Sequence, residues 1–291
     1  MLFITNLIKA LFKFLFKKSI NKNSTKFKNL KNIHQGENCF IFGDGNSIKN
    51  YDLKNFSRNK SFIIKYLFIH KQFKLLNFKY STSIEPFFFN FFLLSISRFF
   101  RRKLFRKNII NNFLFRYLIS KSYKKLILEN KKASFFVSFY NFSFLKNENI
   151  YNVADNTNLI LNNFFKLSKN QFDFNKNSTR LALSIASYMG FKKIYLIGFD
   201  YLENNKISGH WYESYSKRDL KKNTFDQLFI KKINQKNKSK LIIINKSGKN
   251  YLLPCISYKN FCKKNHISIN KRNMVKTHYL KMFKLTNQYN I

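Results

Sequence analysis

A short apolar run that ends in glycine and aspartate constrains the fold of this chain more than any other segment. The run from Ile194 to Ile197 is unbroken and rich in β-branched residues, which is typical of a strand buried on both faces of a parallel sheet. Gly198 and Asp200 follow directly. Open α/β sheets bind their ligands at the carboxyl ends of such strands. The segment therefore predicts an α/β fold with a functional site near Asp200.

Strand-like and helix-like patterns alternate along the chain. Asn177 can cap a helix that ends at Gly190 and leads into the strand at 193–199. The alternation predicts one Rossmann-like parallel-sheet domain, and the polar residues 203–238 are interpreted as a lid insertion. The remaining strands are predicted at residues 39–42, 61–64, 80–84, 133–139 and 241–245.

The ends of the chain are predicted to lie outside the domain. Within residues 1–20, Lys9, Lys13 and Lys17 fall on one helical face among leucine and phenylalanine, a pattern suited to the membrane interface. A helix packed on the domain is the alternative. We expect a basic amphipathic helix and linker at 1–35, the Rossmann-like domain at 36–275 with its lid at about 203–238, and a tail at 276–291.

A second basic and apolar stretch covers residues 87–128. It is rich in phenylalanine, leucine and isoleucine, and we interpret it as helical. The stretch either faces a membrane or covers the sheet, and the pattern leaves both open. Its cationic residues near the middle are Arg98, Arg101, Arg102, Lys103, Arg106 and Lys107.

The formal charge of +42 over 291 residues bounds the partners of the chain. Such a surface attracts anionic membranes, phosphorylated ligands or nucleic acid. A nucleic-acid-binding protein is the non-enzymatic alternative, but the lysines are spread along the chain and no recognition motif accompanies them. Nucleic acid is therefore not the expected partner.

Metal chemistry is not expected. The sequence holds no Walker motif, HExxH motif, DxD pair or Cys/His ligand set. Cationic side chains and tyrosines would then stabilise a leaving phosphate. Cys39, Cys255 and Cys262 form no CxxC pair, so a reduced, cytoplasmic setting without a disulfide framework fits.

His210 is the best candidate for a catalytic base. It follows Asp200 closely and stands beside Tyr212, in a cluster that also holds Trp211 and Tyr215. An imidazole can accept a proton there, and the hydroxyl groups can donate hydrogen bonds. A transferase or hydrolase site is therefore predicted. The histidines that lack such neighbours in the sequence are His34, His70, His266 and His278.

The turn after the first predicted strand is a second candidate. Gly43-Asp44-Gly45 follows the strand, and Ser47 can cap the next helix. Backbone amides in such a turn can face a phosphate. The third glycine of the dinucleotide fingerprint is missing, so an ordinary turn is the alternative.

Several of these segments together resemble the bacterial lipooligosaccharide sialyltransferases, glycosyltransferase family forty-two. The resemblance lies in Gly43 to Ile48, in Ser178 at a helix start, in Met189 to Asp200 and in the histidine that follows. The late segment from Ile244 through Gly248 to Pro254 is more similar to hydroxymethylpterin diphosphokinase-like proteins. The similarity covers residues 38–260 in patches, and the block at 189–200 is the strongest.

The sialyltransferase resemblance implies a Rossmann-like domain with a flexible lid, a CMP-sugar donor and inverting transfer without metal. It places Gly45 and Ser47 at the donor phosphate and Ser178 at a donor-contacting helix start. His210 becomes the base, and Tyr201 or Tyr212 supports the leaving phosphate. Asp200 is expected to orient His210 or a ligand hydroxyl.

Three donor positions depart from the family pattern. Asp44, Lys65 and Glu85 stand where those enzymes have asparagines. An ionised carboxylate cannot donate a hydrogen bond to a phosphate, so Asp44 and Glu85 would instead accept from ribose hydroxyls or a cytosine amine. CMP-sialic acid is therefore one candidate donor among several.

Taken together, the sequence predicts an inverting, metal-independent, sialyltransferase-like glycosyltransferase. It would move a sugar from a nucleotide donor to a surface glycan or lipid-linked acceptor, in lipopolysaccharide or cell-surface polysaccharide biosynthesis. Lys65 or Arg180 would help to stabilise the leaving phosphate. We expect a cytoplasmic enzyme peripheral on the inner membrane face, drawn to anionic lipid, and a homo-oligomer is compatible with this. The enzymatic alternative is an ATP- and Mg²⁺-dependent pyrophosphokinase with Asp44 and Glu85 as its acid pair.

Overall fold

Eight strands form one fully parallel sheet, which confirms the predicted α/β class. The structure is a computed structural model, and it describes residues 26–85, 88–89, 109–138, 140–141, 145, 147–153, 177–202, 206–208, 210–212, 217–219, 229–231, 233, 239–263 and 274–285. The strands are β1 (Asn38–Phe42), β2 (Lys60–Ile64), β3 (Phe78–Ser83), β4 (Ser134–Ser138), β5 (Ile150–Val153), β6 (Lys193–Ile197), β7 (Lys206–Ser208), β8 (Lys217–Asp219), β9 (Lys240–Asn245) and β10 (Cys255–Ser257). Of these, β7 and β8 form a separate antiparallel pair.

The order of the strands creates one point where the chain changes direction across the sheet. The order is β10-β9-β6-β1-β2-β3-β4-β5. The chain therefore runs outward from β1 to β5, then returns to place β6 on the other side of β1. Such a reversal is the topological switch point of a doubly wound sheet, and the crevice beyond its strand ends is where ligands bind.

The helices whose limits are described are α1 (Ile109–Glu129), α2 (Ser178–Tyr188), α3 (Tyr258–Cys262) and α4 (Thr277–Leu285). Residues 26–28, 229–231 and 233 are also helical. The predicted limits of α2 are confirmed. The Asn177 side chain accepts from the Thr179 N–H at 2.8 Å, and Gly190 takes a φ of 85° just past the helix. Short 3₁₀ segments lie at Asn46–Asn50, Leu53–Phe56, Lys65–Ile69, Phe73–Leu75 and Asp200–Leu202.

The sheet has a packed apolar layer on each face. Because side chains alternate along a strand, Phe40 enters one layer and Ile41 the other. The inner side of α1 and most of α4 cover the first layer, while α2 covers the second. The inner side of α1 thus covers the sheet, which is one of the two options for residues 87–128. The cationic residues 98–107 lie outside the described residues.

The packed domain extends past both predicted boundaries. Phe27 and Leu30, in the expected linker, are buried in the second layer. Phe283, in the expected tail, is buried in the first layer, where it stacks with Phe115 at 5.3 Å between ring centroids. Apolar side chains at regular spacing fix both segments to the sheet, because their burial removes apolar surface from water.

Two other predictions fall largely outside the described residues. These are the N-terminal amphipathic helix at 1–20 and most of the lid at 203–238, of which the β7–β8 pair and short pieces at 210–212, 229–231 and 233 are described. Within the described ranges, no helix is both long and apolar enough to cross a bilayer.

Candidate functional site

The predicted site residues that follow β1 and β6 meet at the switch point. The Gly43 N–H donates to the Ile197 carbonyl at 2.8 Å, and the Gly45 N–H donates to the Gly198 carbonyl at 2.9 Å. The turns after two neighbouring parallel strands are thereby held together. This is the crevice in which an open α/β sheet binds its ligand.

Glycine is required here so that the two turns can approach each other. A Cβ on Gly43 would lie 2.5 Å from the Gly198 carbonyl oxygen. A Cβ on Gly45 would lie 2.5 Å from the same oxygen and 2.7 Å from Asp200 Cγ. The amides of Gly43 and Gly45 are hydrogen-bonded to β6 and its turn, and contact between other amides of this turn and a phosphate stays a prediction. The role of the two glycines is to bring the strand ends together.

Asp200 is bonded to Ser47 across the crevice. The Ser47 N–H donates to Oδ2 at 2.8 Å, and its hydroxyl donates to Oδ1. Burial raises the pKa of Asp200, and hydrogen bonds from the Ser47 hydroxyl and from the N–H groups of Ser47 and Asn46 oppose that rise. Asp200 therefore anchors the start of the 3₁₀ segment Asn46–Asn50. Its expected role in orienting His210 or a ligand hydroxyl stays a prediction.

His210 lies directly against the glycine turn. It forms an isolated antiparallel bridge with Gly45, and the Trp211 N–H donates to the Asp44 carbonyl at 3.1 Å. The backbone on either side of the imidazole is therefore fixed to the β1 turn. His210 itself is partly exposed, so the ring combines a defined position with access from solvent.

The neighbouring aromatic residues support His210 from the core. The Tyr212 ring stacks with that of His210 at 5.2 Å and 17°. Tyr212 is buried, and its ring also contacts those of Tyr66 at 5.2 Å and Phe283 at 6.0 Å. Surrounded by these rings, Tyr212 supports the imidazole from the core. Its expected contact with the leaving phosphate stays a prediction.

Lys65 and Glu85 meet at the carboxyl ends of β2 and β3. The Lys65 ammonium pairs with Glu85 Oε2, while Arg116 Nη1 donates to Oε1 at 2.9 Å. Both carboxylate oxygens are therefore held by cations, and contact of Glu85 with a ribose or a cytosine amine stays a prediction.

Backbone geometry marks Lys65 as unusual. Its φ of 53° lies in the left-handed region, which residues other than glycine adopt rarely and at some cost. Its ammonium lies 4.7 Å from the centre of the Tyr66 ring. Because Tyr66 contacts Tyr212, which stacks with His210, the cation cluster and the imidazole are joined through two aromatic rings.

Ser178 and Tyr201 lie at the margin of this region. The Ser178 carbonyl accepts from the Thr82 hydroxyl at 3.3 Å, which places the start of α2 beside the end of β3. Tyr201 is partly exposed, with its ring 6.1 Å from that of Phe199. Both are compatible with contact to a bound ligand, and their roles stay predictions. Arg180 is buried in α2, 5.2 Å from the Phe229 ring centre.

His70 is the residue near the site that sequence reasoning missed. It is fully buried, and its ring lies 5.0 Å from that of Trp211, the neighbour of His210. Its Nδ1 accepts from the Gln72 N–H at 3.1 Å. Burial and the charges of Lys276 and Lys71 lower the pKa of His70 to about 3. His70 is therefore neutral at neutral pH and supports the Trp211 segment from within.

A second histidine contact lies at the amino ends of the strands, at the opposite end of the sheet from the switch point. His34 bonds the Tyr80 hydroxyl through Nε2 and Glu37 through Nδ1, the latter at 3.1 Å. Glu37 also pairs with Lys60 at the start of β2. This network ties residues 26–37 to the amino ends of the strands, far from the switch point, and its role is structural.

Comparisons with known proteins give one distant likeness. No family model and no curated protein matches this chain. A solved structure similar to it is that of the sialyltransferase CstII from Campylobacter jejuni, determined with a substrate analogue, cytidine-5'-monophosphate. The match covers 88% of this chain and 99% of that one at 14% identity, with a TM-score of 0.41. The fold assignment here rests on the strand order, and the site assignment rests on its contacts.

Proposed function

We propose that this chain is a glycosyltransferase that uses a nucleotide sugar, with His210 as general base. The observation that carries the proposal is the position of His210 at the switch point of a parallel sheet, bridged to Gly45 and stacked on Tyr212. A base for group transfer needs a fixed position and access to the acceptor. His210 has both.

The chemistry follows from the groups around the crevice. The acceptor hydroxyl oxygen attacks the anomeric carbon while His210 takes the hydroxyl proton. The bond from that carbon to the donor phosphate breaks, and the nucleotide leaves with the electron pair. Inversion at the anomeric carbon follows from this single displacement.

The cation cluster is suited to the charge that develops on the leaving phosphate. Lys65 and Arg116 both contact the carboxylate of Glu85, so cationic side chains lie in a partly buried setting at the carboxyl ends of β2 and β3. Fixed positive charge near a leaving group stabilises the transition state more there than in water. Tyr201 is a further candidate donor of a hydrogen bond to the nucleotide. A CMP-linked donor is one option that the proposal covers.

The pyrophosphokinase alternative needs Asp44 and Glu85 to bind Mg²⁺ together. Glu85 is held by two cations instead, and releasing it would leave both without that partner. The contacts thus favour metal-independent transfer. If a chelator abolished all activity, that preference would be reversed.

The test is donor turnover by the wild type and by His210→Ala, using CMP-, UDP- and GDP-sugars with a glycan acceptor. We expect nucleotide release to fall about 10²- to 10⁴-fold in His210→Ala, because general-base catalysis contributes that much, while nucleotide binding changes little. The matched control is His278→Ala, since His278 is exposed on α4. Equal turnover by the wild type and His210→Ala would remove His210 as the base.

A further inference from the structure

Exposed apolar side chains are concentrated on one helix. Among the described residues, six large apolar side chains are exposed, and three of them lie on α1. These are Leu114 at 42%, Tyr117 at 45% and Leu128 at 51%. Scattered exposed apolar residues need no explanation, but grouping on one element indicates an interaction surface.

Lysines lie among these apolar residues on the same face of α1. Lys121, Lys124 and Lys125 are exposed, and the positions 114, 117, 121, 124 and 128 follow the three- and four-residue steps of one helical face. The opposite face carries Phe115, Ile119 and Ile127, which are buried against the sheet. The outer face of α1 is therefore a row of mixed apolar and cationic side chains, on a helix whose inner face holds it to the domain.

We propose that this outer face of α1, defined by Leu114, Tyr117, Lys121, Lys124, Lys125 and Leu128, docks on the surface of an anionic lipid bilayer. The leucines and the tyrosine enter the boundary between headgroups and acyl chains. The lysine stems lie along the apolar layer, and their ammonium groups meet lipid phosphates. The inference is independent of the transfer chemistry, because it concerns a different surface.

Charge complementarity identifies the occupant. A second copy of this chain would carry the same net charge of +42 over its whole length, so like-charge repulsion opposes self-association. Nucleic acid would satisfy the lysines but would offer no apolar layer to the exposed leucines. An anionic bilayer satisfies both groups, since each basic residue near such a surface is attracted to it.

The surroundings of α1 add to the positive potential of this face. Burial, together with the charges of Lys276 and Lys125, lowers the pKa of His278 on α4. Burial and the charge of Lys74 lower the pKa of Lys276, while the charge of Glu129 opposes that shift. Glu129 also forms an exposed ion pair with Lys125 at 3.6 Å, a contact that contributes little in water. Cations therefore outnumber the single carboxylate around this end of α1.

Vesicle binding by the full chain tests the surface as a whole. The probes are phosphatidylcholine vesicles with and without about one third phosphatidylglycerol, a composition chosen to supply anionic charge. We expect Lys121→Gln/Lys124→Gln/Lys125→Gln to weaken binding to the anionic vesicles about a hundredfold, from roughly 1 kcal/mol per lysine. Leu114→Ser/Tyr117→Ser/Leu128→Ser should weaken it about tenfold or more by removing buried apolar area.

The matched control removes exposed apolar residues from the other side of the sheet. Ile33 and Tyr251 are exposed, and their neighbours Leu30 and Leu253 belong to the second apolar layer. Ile33→Ser/Tyr251→Ser should bind anionic vesicles as the wild type does. Circular dichroism and thermal unfolding of all variants separate lost binding from lost folding.

A position-specific readout separates α1 from any other part of the chain that binds lipid. Leu128→Trp, Ile33→Trp and Tyr251→Trp each add one fluorophore to a chain with one native tryptophan, buried at position 211. With brominated acyl chains in anionic vesicles, we expect Leu128→Trp to show added quenching and a blue shift, and the other two to match the wild type. Added quenching of Ile33→Trp alone, or unchanged binding of both α1 triple variants, would overturn the proposal.

Discussion

At the scale of single residues, the site is organised by side chains whose hydrogen-bonding groups are used inside the protein. Asp200 holds Ser47, Tyr212 supports the His210 ring, and Glu85 joins two cations. Tyr212 and Glu85 were expected to meet a ligand, and Asp200 was expected to orient His210 or a ligand hydroxyl. A buried carboxylate without partners is costly, so both carboxylates have hydrogen-bond partners within the protein.

The contact between Asp200 and Ser47 predicts a measurable coupling. Asp200→Ala and Ser47→Ala should each destabilise the fold by about 1–3 kcal/mol, because each leaves buried polar partners unsatisfied. The double variant should lose clearly less than the sum of the two. Urea unfolding of the four proteins measures the cycle. Ser57→Ala, at an exposed serine, is the control, and strict additivity would contradict the contact.

His70 predicts an acid sensitivity of defined sign. Its pKa falls from an ordinary 6.5 to about 3 on folding, so the folded state binds fewer protons than the unfolded state. The stabilisation is complete above pH 6.5 and is lost as pH falls toward 3. At pH 5 the loss is about 2 kcal/mol, at roughly 1.4 kcal/mol per pH unit.

The comparison that isolates His70 is with His70→Asn, whose side-chain oxygen can take the place of Nδ1 opposite the Gln72 N–H. The variant is expected to be less stable than the wild type at pH 7.5. That difference should shrink by about 2 kcal/mol at pH 5, because only the wild type carries the buried imidazole. A difference that stays constant between these pH values would show that His70 does not titrate in this way.

At the scale of elements, the close approach of the β1 and β6 turns decides where the site forms. Gly43, Gly45 and Gly198 bring no Cβ atom into the contact between the two turns, and His210 forms a bridge with Gly45. Strand ends that meet this closely leave the loops beyond them at one crevice. The elements therefore define the place of the chemistry before any ligand is considered.

Gly45→Ala tests this approach. Gly45 has an ordinary φ of −66°, so alanine is not strained there, but its Cβ would meet the Gly198 backbone at 2.5 Å. We expect a loss of about 1–3 kcal/mol, as for overpacking, and a large fall in turnover, since His210 is paired with this residue. Thermal unfolding and the nucleotide-release assay measure the two effects.

Gly36→Ala provides the opposite case and serves as the control. Gly36 has a φ of 84° with nothing within 4 Å of an added Cβ, so alanine there costs about 1–2 kcal/mol of backbone strain alone. The turnover of Gly36→Ala should stay close to that of the wild type, because Gly36 lies near the amino ends of the strands, away from the switch point. Equal loss of turnover in both variants would mean that activity follows stability and not the position of Gly45.

Local signals explain which elements the sequence predicted. The β6 run and the cap of α2 are each encoded within a few neighbouring residues, so β6 and α2 with its end at Gly190 were found. Strand β5 has four residues with Asn152 in its midst, and β10 has three after Pro254. Strands this short have too few residues to show a recognisable sequence pattern. Pairing with neighbouring strands determines them instead.

The site was harder to predict than the elements because its contacts join distant parts of the chain. Lys65 and Glu85 were selected separately, while Arg116, which completes their cluster, comes from α1. His70 was dismissed for lack of neighbours in the sequence, yet it lies against Trp211. Tyr212, an aromatic residue beside the candidate base, was expected to contact the ligand, although it is buried. The periodicity of the sequence does not show which of these side chains meet, because strand order and burial determine their contacts.

At the scale of the whole molecule, charge is the dominant feature. The chain carries 55 lysine and arginine residues against 13 acidic ones. Such an excess keeps copies apart and draws the protein to anionic partners, and it opposes compaction through self-repulsion. The stability of the fold and the choice of partner therefore both depend on the net charge.

This imbalance predicts stabilisation by salt. Raising sodium chloride from about 50 to about 500 mM shortens the screening length several-fold. The melting temperature should rise by at least about 2–4 °C, as expected for a gain near 1 kcal/mol in a chain of this size. Differential scanning fluorimetry measures the shift. A falling or flat melting temperature would show that repulsion does not limit stability.

The central claim is that a nucleotide sugar binds at the switch point between β1 and β6. Hydrogen–deuterium exchange with CMP, UDP, GDP or ATP, each in EDTA, tests it most directly. We predict that one of CMP, UDP and GDP slows exchange in the peptides that cover 43–48, 198–202 and 210–212, with no change at β5. No protection at these segments by any nucleotide, or protection only by ATP once Mg²⁺ is added, would contradict the account.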